Sequence, residues 1–496
     1  MQFDIDSHVY TPVPVRMKVL VLSNGAPNYH NFFNAIARKL ISEGVEVGYA
    51  VDCPASVAEN KIKELGVSYT VFSNYFADHD LDENLLEAYS HHNLNLALFS
   101  DFDRSEEYGI WGARSNDFFD RLKSALLSFF EKLVDEGGYT AVLYENVSNA
   151  FAHFCWIVCQ ERGVDYIGFT ASRLPGRFGF SSDPYAEHRA IDSTIQKLDK
   201  GELDVPEAVW DWSSEYIRNI ENTTPDYMAF NKLDNVSIVN RYFRLSKLEK
   251  VSRLIRFAGG NHYYSFQRGN PVLYSAGMFL RSLRRRLRLP FIKKYYSAPK
   301  QEKFFLYPLH FHPESSTSIL AASHVNEYET IKSVAFNLPE GYRLYVKDHI
   351  SAWGYPDLGF YKKLAALPNV SVLSPLEPTK KLIKQSHGVV TLTSTVGYEA
   401  LLLKKAVLLF GDVFYQSHPL VTRVGRMSGL FECFRGMLET PSMSDREVND
   451  YNLKFVVAYH QNTVPGRLNL MLAPSEASSL VDEIFPLLWA RLVRGQ

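Results

Sequence analysis

Short apolar, β-branched runs alternate with stretches of helical spacing in two parts of the chain. The first series opens at residues 18–23, Lys-Val-Leu-Val-Leu-Ser. A turn follows at 24–27, and apolar positions 32, 35, 36, 40 and 41 then fall on one helical side. Further strands are predicted at 45–51, 69–72, 140–145 and 165–169, with helices at 56–65, 115–136 and 149–160. Apolar strands joined by amphipathic helices are the pattern of a doubly wound parallel sheet. The second series predicts strands at 304–311, 343–346, 370–373, 388–393 and 406–410, with helices at 326–338, 357–367, 379–385 and 397–405. Between the two series the period is helical, notably over 187–200 and 228–250, and 475–493 predicts a closing helix.

The expected fold is therefore α/β and two-lobed: two Rossmann-like domains facing a cleft, with a mostly helical insertion and a C-terminal helix. The expected boundaries are 1–185, 186–300, 301–470 and 471–496. Residues 74–107 interrupt the first series. Nine of these 34 residues are Asp or Glu, beside His79, His91 and His92. A solvated insertion and a metal site are both compatible with that composition, and a solvated insertion is the expectation.

Charge removes some function classes. The net charge is −2, so no bulk field draws the chain to nucleic acid. Four scattered cysteines make no disulfide framework. Residues 1–16 carry acids and prolines without an apolar signal core, and a cytoplasmic location is expected. One segment is locally basic. Residues 281–294 hold seven Lys or Arg interleaved with Leu and Phe, which suits an anionic membrane surface or an ordinary basic surface helix.

Candidate chemistry collects where predicted strands end. Residues 393–395, Thr-Ser-Thr, stand between a strand and a helix and serve as an anion-binding turn or a plain N-cap. Two more polar strand ends, His310/His312/Glu314 and Lys347-Asp348-His349, belong at the same sheet edge, which favours a phosphate. Glu399, five residues after Ser394, suits a ribose hydroxyl. His310 and His312 lack a third ligand at a telling spacing, so no metal is expected there. In the first series Glu145 ends a strand and is the leading catalytic candidate or else a capping carboxylate, with Asn146 beside it. Arg173 and Arg177 flank the turn Pro175-Gly176 and suit an anionic substrate or a surface bridge to Asp183.

Four segments carry a resemblance: Tyr-Pro-Leu-His-Phe-His-Pro-Glu-Ser-Ser-Thr at 307–317, Leu-Tyr-Val-Lys-Asp-His at 344–349, Phe-Tyr-Lys-Lys-Leu with Leu-Pro-Asn-Val within 360–370, and Thr-Leu-Thr-Ser-Thr-Val-Gly-Tyr-Glu-Ala at 391–400. Together they resemble the capsule polysaccharide biosynthesis family, which contains bacterial Kdo transferases. The resemblance implies a GT-B fold and a CMP-activated acidic sugar, Kdo or another nonulosonic acid, as donor. It implies that Lys347 and His349 contact the donor phosphate, that Ser394 and Thr395 form the hydroxyl motif, and that Glu399 is the nucleotide carboxylate. The chain departs from the family at Asp348 and Ile350, where Glu and Pro are usual. Related β-Kdo transferases imply a carboxylate nucleophile in the N-terminal lobe, matched by Glu145, with Asp183 as a weaker second acid and Arg173 or Arg177 for the sugar carboxylate. The expected function is transfer from a CMP-sugar to a glycan or lipid-linked acceptor, at the inner face of the membrane, with no cofactor or metal required. A UDP- or GDP-sugar transferase and a non-catalytic scaffold of the assembly complex are the alternatives.

Overall fold

A computed structural model of the chain describes residues 17–111, 114–224, 259, 262–439 and 443–494. The expected helix at 228–250 and the segment 1–16 lie outside the described residues. The chain forms two compact units, and their membership is not consecutive. The first comprises 1–184, 243–275 and 463–496; the second comprises 185–242 and 276–462. The block 186–300 is thus shared between the units, and the C-terminal segment completes the first.

In the first unit β1 (Lys18–Ser23), β2 (Glu46–Val51), β3 (Ser68–Val71), β4 (Ala141–Glu145) and β5 (Asp165–Ala171) are parallel. Then β6 (Arg177–Ser181) returns antiparallel, and the short strand Val464–Pro465 pairs with it. The sheet order is Val464–Pro465, β6, β5, β4, β1, β2, β3. Strand order reverses between β1 and β4, so the crevice at their carboxyl ends is the ligand position of an open α/β sheet. Phe32 and Phe33 of the helix Tyr29–Ser42 pack on Phe169 and Tyr144 over the sheet. The closing helix Pro474–Arg494 buries Ile484, Phe485, Leu488 and Leu492. Residues 74–107 are more regular than their acidity suggested: they fold mainly as the end of Phe72–Asp78, then Glu83–Ala88 and Leu94–Tyr108.

The second unit holds β7 (Phe304–Pro308), β8 (Arg343–Lys347), β9 (Val370–Leu373), β10 (Gly388–Thr391), β11 (Val407–Leu409) and β12 (Val421–Arg423). All pairings are parallel, in the order β12, β11, β10, β7, β8, β9. Its switch point lies between β7 and β10. Two doubly wound sheets in one chain make a GT-B-like fold, as expected.

The helix Pro271–Ile292 begins earlier than the basic stretch and has two faces. Arg281, Arg285 and Arg288 turn inward, donating to the carbonyls of His312, Trp353 and Tyr355 at 3.0, 2.6 and 2.7 Å. The Arg281 and Arg285 guanidiniums also lie over the Tyr355 ring at 4.2 and 4.6 Å. Outward stand Leu283, Leu287 and Phe291, with Arg284, Arg286, Lys293 and Lys294. Three of the seven basic residues expected on the surface, Arg281, Arg285 and Arg288, are therefore structural. Among the described residues no helix is long and apolar enough to cross a membrane.

Candidate functional site

The ends of β8, β7 and β10 are neighbours, and each delivers one of the polar clusters. After β7 the chain bends through His310 and His312. Their partner is Glu327, buried at the first turn of the helix Glu327–Phe336. One Glu327 oxygen accepts from His310 Nδ1 at 2.8 Å and from the Tyr307 hydroxyl at 3.1 Å, while His312 Nε2 lies 3.2 Å from the other. The His310 backbone N–H also points at this carboxylate. Burial alone would raise the Glu327 carboxyl, but the charge and hydrogen bonds of the two histidines outweigh it and hold it at about 2. With Nδ1 committed to Glu327, His310 presents Nε2 to the Thr391 hydroxyl at 3.3 Å and the Thr393 N–H at 3.5 Å.

After β8 the residues divide their work. Asp348 is buried and accepts from the Tyr296 and Tyr361 hydroxyls at 2.5 and 2.8 Å and from the His349 N–H at 2.7 Å. It therefore anchors the loop. The Ser351 N–H donates to His349 Nδ1 at 3.2 Å, so the neutral ring carries its proton on Nε2 and is a donor there. Burial, then the positive neighbours His310 and Lys347, push His349 down to about 4. Burial likewise lowers Lys347 to about 8, and its ammonium donates to the Pro375 carbonyl at 3.0 Å.

After β10, Thr391 and Ser394 build the helix start. The Thr391 hydroxyl accepts from the Ser394 N–H at 3.0 Å, and the Ser394 hydroxyl accepts from the Val396 N–H at 3.1 Å. Thr393 donates to the Ser316 carbonyl at 2.7 Å. The helix Thr395–Leu402 thus starts capped, with its positive dipole end at the switch point. Glu399 is buried one turn in, raised by burial against the pull of Lys380, whose ammonium is 3.7 Å away. Glu314 is exposed and accepts from Ser316 at 3.1 Å.

In the first unit Glu145 ends β4 at the switch point. Burial raises its carboxyl, opposed by hydrogen bonds from Ser148, at 2.5 Å, and Tyr29. The Asn146 N–H donates to the Phe169 carbonyl at 3.1 Å. Arg173 and Arg177 flank the hairpin between β5 and β6. Arg177 sends its guanidinium to the hydroxyl and carbonyl of Thr463 at 2.8 and 2.6 Å, which ties down the short outer strand. Arg173 donates to the Ala171 carbonyl at 3.2 Å. Asp183 follows β6, and because β6 is antiparallel the chain there runs away from the carboxyl edge that holds Glu145. Beside Glu145 lies a buried amide network: Gln267 donates to Asp101 and Asn149 at 3.1 and 3.0 Å, and Asp101 caps the Ala150 N–H at 2.7 Å.

Three site residues were hidden from sequence reasoning. Glu327 fell unremarked inside the predicted helix 326–338; the available signal was its place directly after the capping Asn326. Asp101 sits in the acidic insertion 74–107 and Gln267 in the mostly helical block 186–300, and neither was singled out for chemistry.

The model of the family described as capsule polysaccharide biosynthesis protein matches residues 235–425, which takes in β7 to β12 and every residue of the second-unit site described above. Over that stretch, less than half of its length, the chain is similar to the capsule polysaccharide biosynthesis family. The match starts well upstream of the four motif segments. No curated protein matches the sequence. Among solved structures, the β-Kdo 2,4 transferase KpsC of Thermosulfurimonas dismutans is similar at 15% identity over 60% of this chain and 78% of that one, TM-score 0.33. The β-Kdo 2,7 transferase KpsC of the same organism follows at 13%, 72% and 89%, TM-score 0.31. The UDP-GlcNAc 2-epimerase of Methanocaldococcus jannaschii, with UDP-GlcNAc and UDP, covers 95% of this chain and 100% of its own at 11% identity, TM-score 0.29. Likenesses this distant carry no functional weight.

Proposed function

We propose that the chain is a glycosyltransferase of capsule or related surface-polysaccharide synthesis, taking an acidic sugar, Kdo or another nonulosonic acid, from its CMP-activated form to a glycan or lipid-linked acceptor. The observation that carries this reading is the convergence of His310, Lys347, His349 and the Ser394-capped helix start at one switch point. That set offers imidazole, ammonium and backbone N–H donors to one anion, with Glu399 one helical turn away for ribose hydroxyls. In this reading Lys347 and His349 take the donor phosphate, Glu399 the ribose, and Glu145 of the first unit is the acid that acts on the sugar. No metal is required, since the phosphate charge is met by protein donors. The outer face of Pro271–Ile292, with exposed Leu283, Leu287 and Phe291 beside Arg284 and Arg286, supports docking on an anionic membrane where a lipid-linked acceptor resides.

The test is transfer from CMP-Kdo to a lipid-linked acceptor by the full chain and by Glu145→Gln, His349→Ala and Ser394→Ala. Losses of about a hundredfold or more are expected for the first two. Full activity in all three would instead favour a scaffold role, and transfer from a UDP- or GDP-sugar alone would replace the donor.

A further inference from the structure

Outside the switch points, one group of chemistry-bearing side chains in the first unit is gathered on a braced frame. His91 and His92 direct Nε2 at the same oxygen of Glu161, at 3.0 and 2.8 Å, and the two ring centroids are 4.3 Å apart. One ligand atom from each of the three residues lies within 4.8 Å of the others, and among the described residues no other such group of three occurs.

The frame is fixed on both sides. The His92 N–H donates to the Tyr89 carbonyl at 3.0 Å, which curls the turn so that consecutive histidines face one way. Asn93 then caps the helix Leu94–Tyr108 through the Leu96 N–H at 3.1 Å. The buried Tyr89 hydroxyl donates to Glu131 at 2.9 Å, and Arg162, next to Glu161, grips the same Glu131 oxygen. The turn and the end of the helix Ala150–Arg162 are therefore held to a common carboxylate. Nearby cations are already paired: Arg162 with Glu131 and Asp135, Lys123 with Asp120. A hollow of about 490 Å³ opens in front of His91, His92 and Asn95, leaving room for water at further coordination positions.

We propose that His91, His92 and Glu161 bind a borderline transition-metal dication, with zinc as the best fit. Two imidazoles and a carboxylate suit zinc rather than magnesium or calcium, which take oxygen ligands. Ligands on a tetrahedral zinc at about 2.0–2.2 Å stand roughly 3.3 Å apart, so the two His–Glu161 separations of 3.0 and 2.8 Å need open by only about half an ångström or less. The ion would clip the turn between Glu83–Ala88 and Leu94–Tyr108 to the far end of the helix that starts beside Glu145. It is a structural clip and takes no part in transfer.

The experiment is calorimetric titration of zinc chloride into the chelator-treated full chain near neutral pH, paired with thermal unfolding. One tight equivalent is expected, with a rise in Tm. His91→Ala/His92→Ala should lose that equivalent and that rise while keeping the native circular dichroism, and Glu161→Gln should weaken binding about tenfold or more. Cobalt in place of zinc should give visible d–d absorption in the unaltered chain only, and magnesium should give no saturable heat. Retention of the tight equivalent by the double variant would overturn the site, as would its absence from the unaltered chain or equal binding of magnesium.

Discussion

Glu327 has the largest consequences of any single side chain in the second unit. It is an acid at 6% exposure, and His310, His312 and Tyr307 all turn to it. Removing one partner from a buried ion pair costs about 3–5 kcal/mol. Glu327→Gln is therefore expected to lower unfolding stability by that order in urea, and to weaken nucleotide binding because His310 loses its orientation. The acid limb gives an independent check. Glu327 is held at about 2 against an ordinary 4.5. Its contribution is complete above pH 4.5 and drains away as pH falls toward 2, so the variant's stability should fall less steeply there.

His349 has the reverse chemistry and the same pH sense. Its folded value of about 4 lies below the ordinary 6.5, so folding releases its proton in that interval and stability falls with pH between them. An anion at Nε2 would favour the charged ring. CMP binding between pH 4 and 6.5 should then take up protons, seen as buffer-dependent heat, and His349→Asn should abolish the uptake. That Lys347, His349 and Ser394 stand at strand ends was legible from the hydrophobic pattern. Glu327 was not, because its role depends on a helix start meeting a strand end nineteen residues upstream, between Pro308 and Glu327. Asp348 was legible as a motif position but not as the loop's anchor, since Tyr296 and Tyr361 are remote in sequence.

At the scale of elements, period and residue type located the parallel strands to within a few residues. The run at 18–23 matched β1 end for end. Three short strands at the sheet margins, β6, β12 and Val464–Pro465, were missed for local reasons. β6 is five residues with a central glycine, Arg-Phe-Gly-Phe-Ser, and gains its place by pairing with β5 across the Pro175-Gly176 turn, where Gly176 has φ 69°. β12 has three residues and exists through its register with β11. The helix Pro271–Ile292 shows why a basic, leucine-rich stretch is ambiguous: composition does not say which arginines face the protein. The inward set is 281, 285 and 288. Arg285→Ala should cost about 2 kcal/mol by losing charged hydrogen bonds to the 350–353 backbone. Leu287→Glu with Arg284→Glu should leave stability nearly unchanged and reduce co-sedimentation with anionic vesicles at least about fivefold. Equal sedimentation would remove the membrane reading. The cap at the helix Thr395–Leu402 is worth about 1 kcal/mol, which Ser394→Ala should forfeit together with nucleotide binding.

At the scale of the whole chain, the two α/β series were plain in the hydrophobic pattern, whereas the assignment of the middle block was not. Residues 185–242 and 276–300 group with the second unit and 243–275 with the first, because contacts rather than sequence order decide membership. The closing segment is likewise part of the first unit: Arg491 pairs with Asp165 at 2.7 Å, and Val464–Pro465 extends the sheet past β6. Ile484, Phe485, Leu488 and Leu492 together bury apolar surface worth on the order of 6–12 kcal/mol, comparable to a domain's whole stability. Ending the chain after residue 462 should therefore cost the first unit its amide-exchange protection in β5 and in the helix Tyr29–Ser42.

The donor claim is tested most directly by nucleotide binding to the intact chain. Thermal unfolding with CMP, CDP, UDP and GDP should show stabilisation by CMP that exceeds the others and is lost in Ser394→Ala. Stabilisation by UDP but not CMP would contradict it.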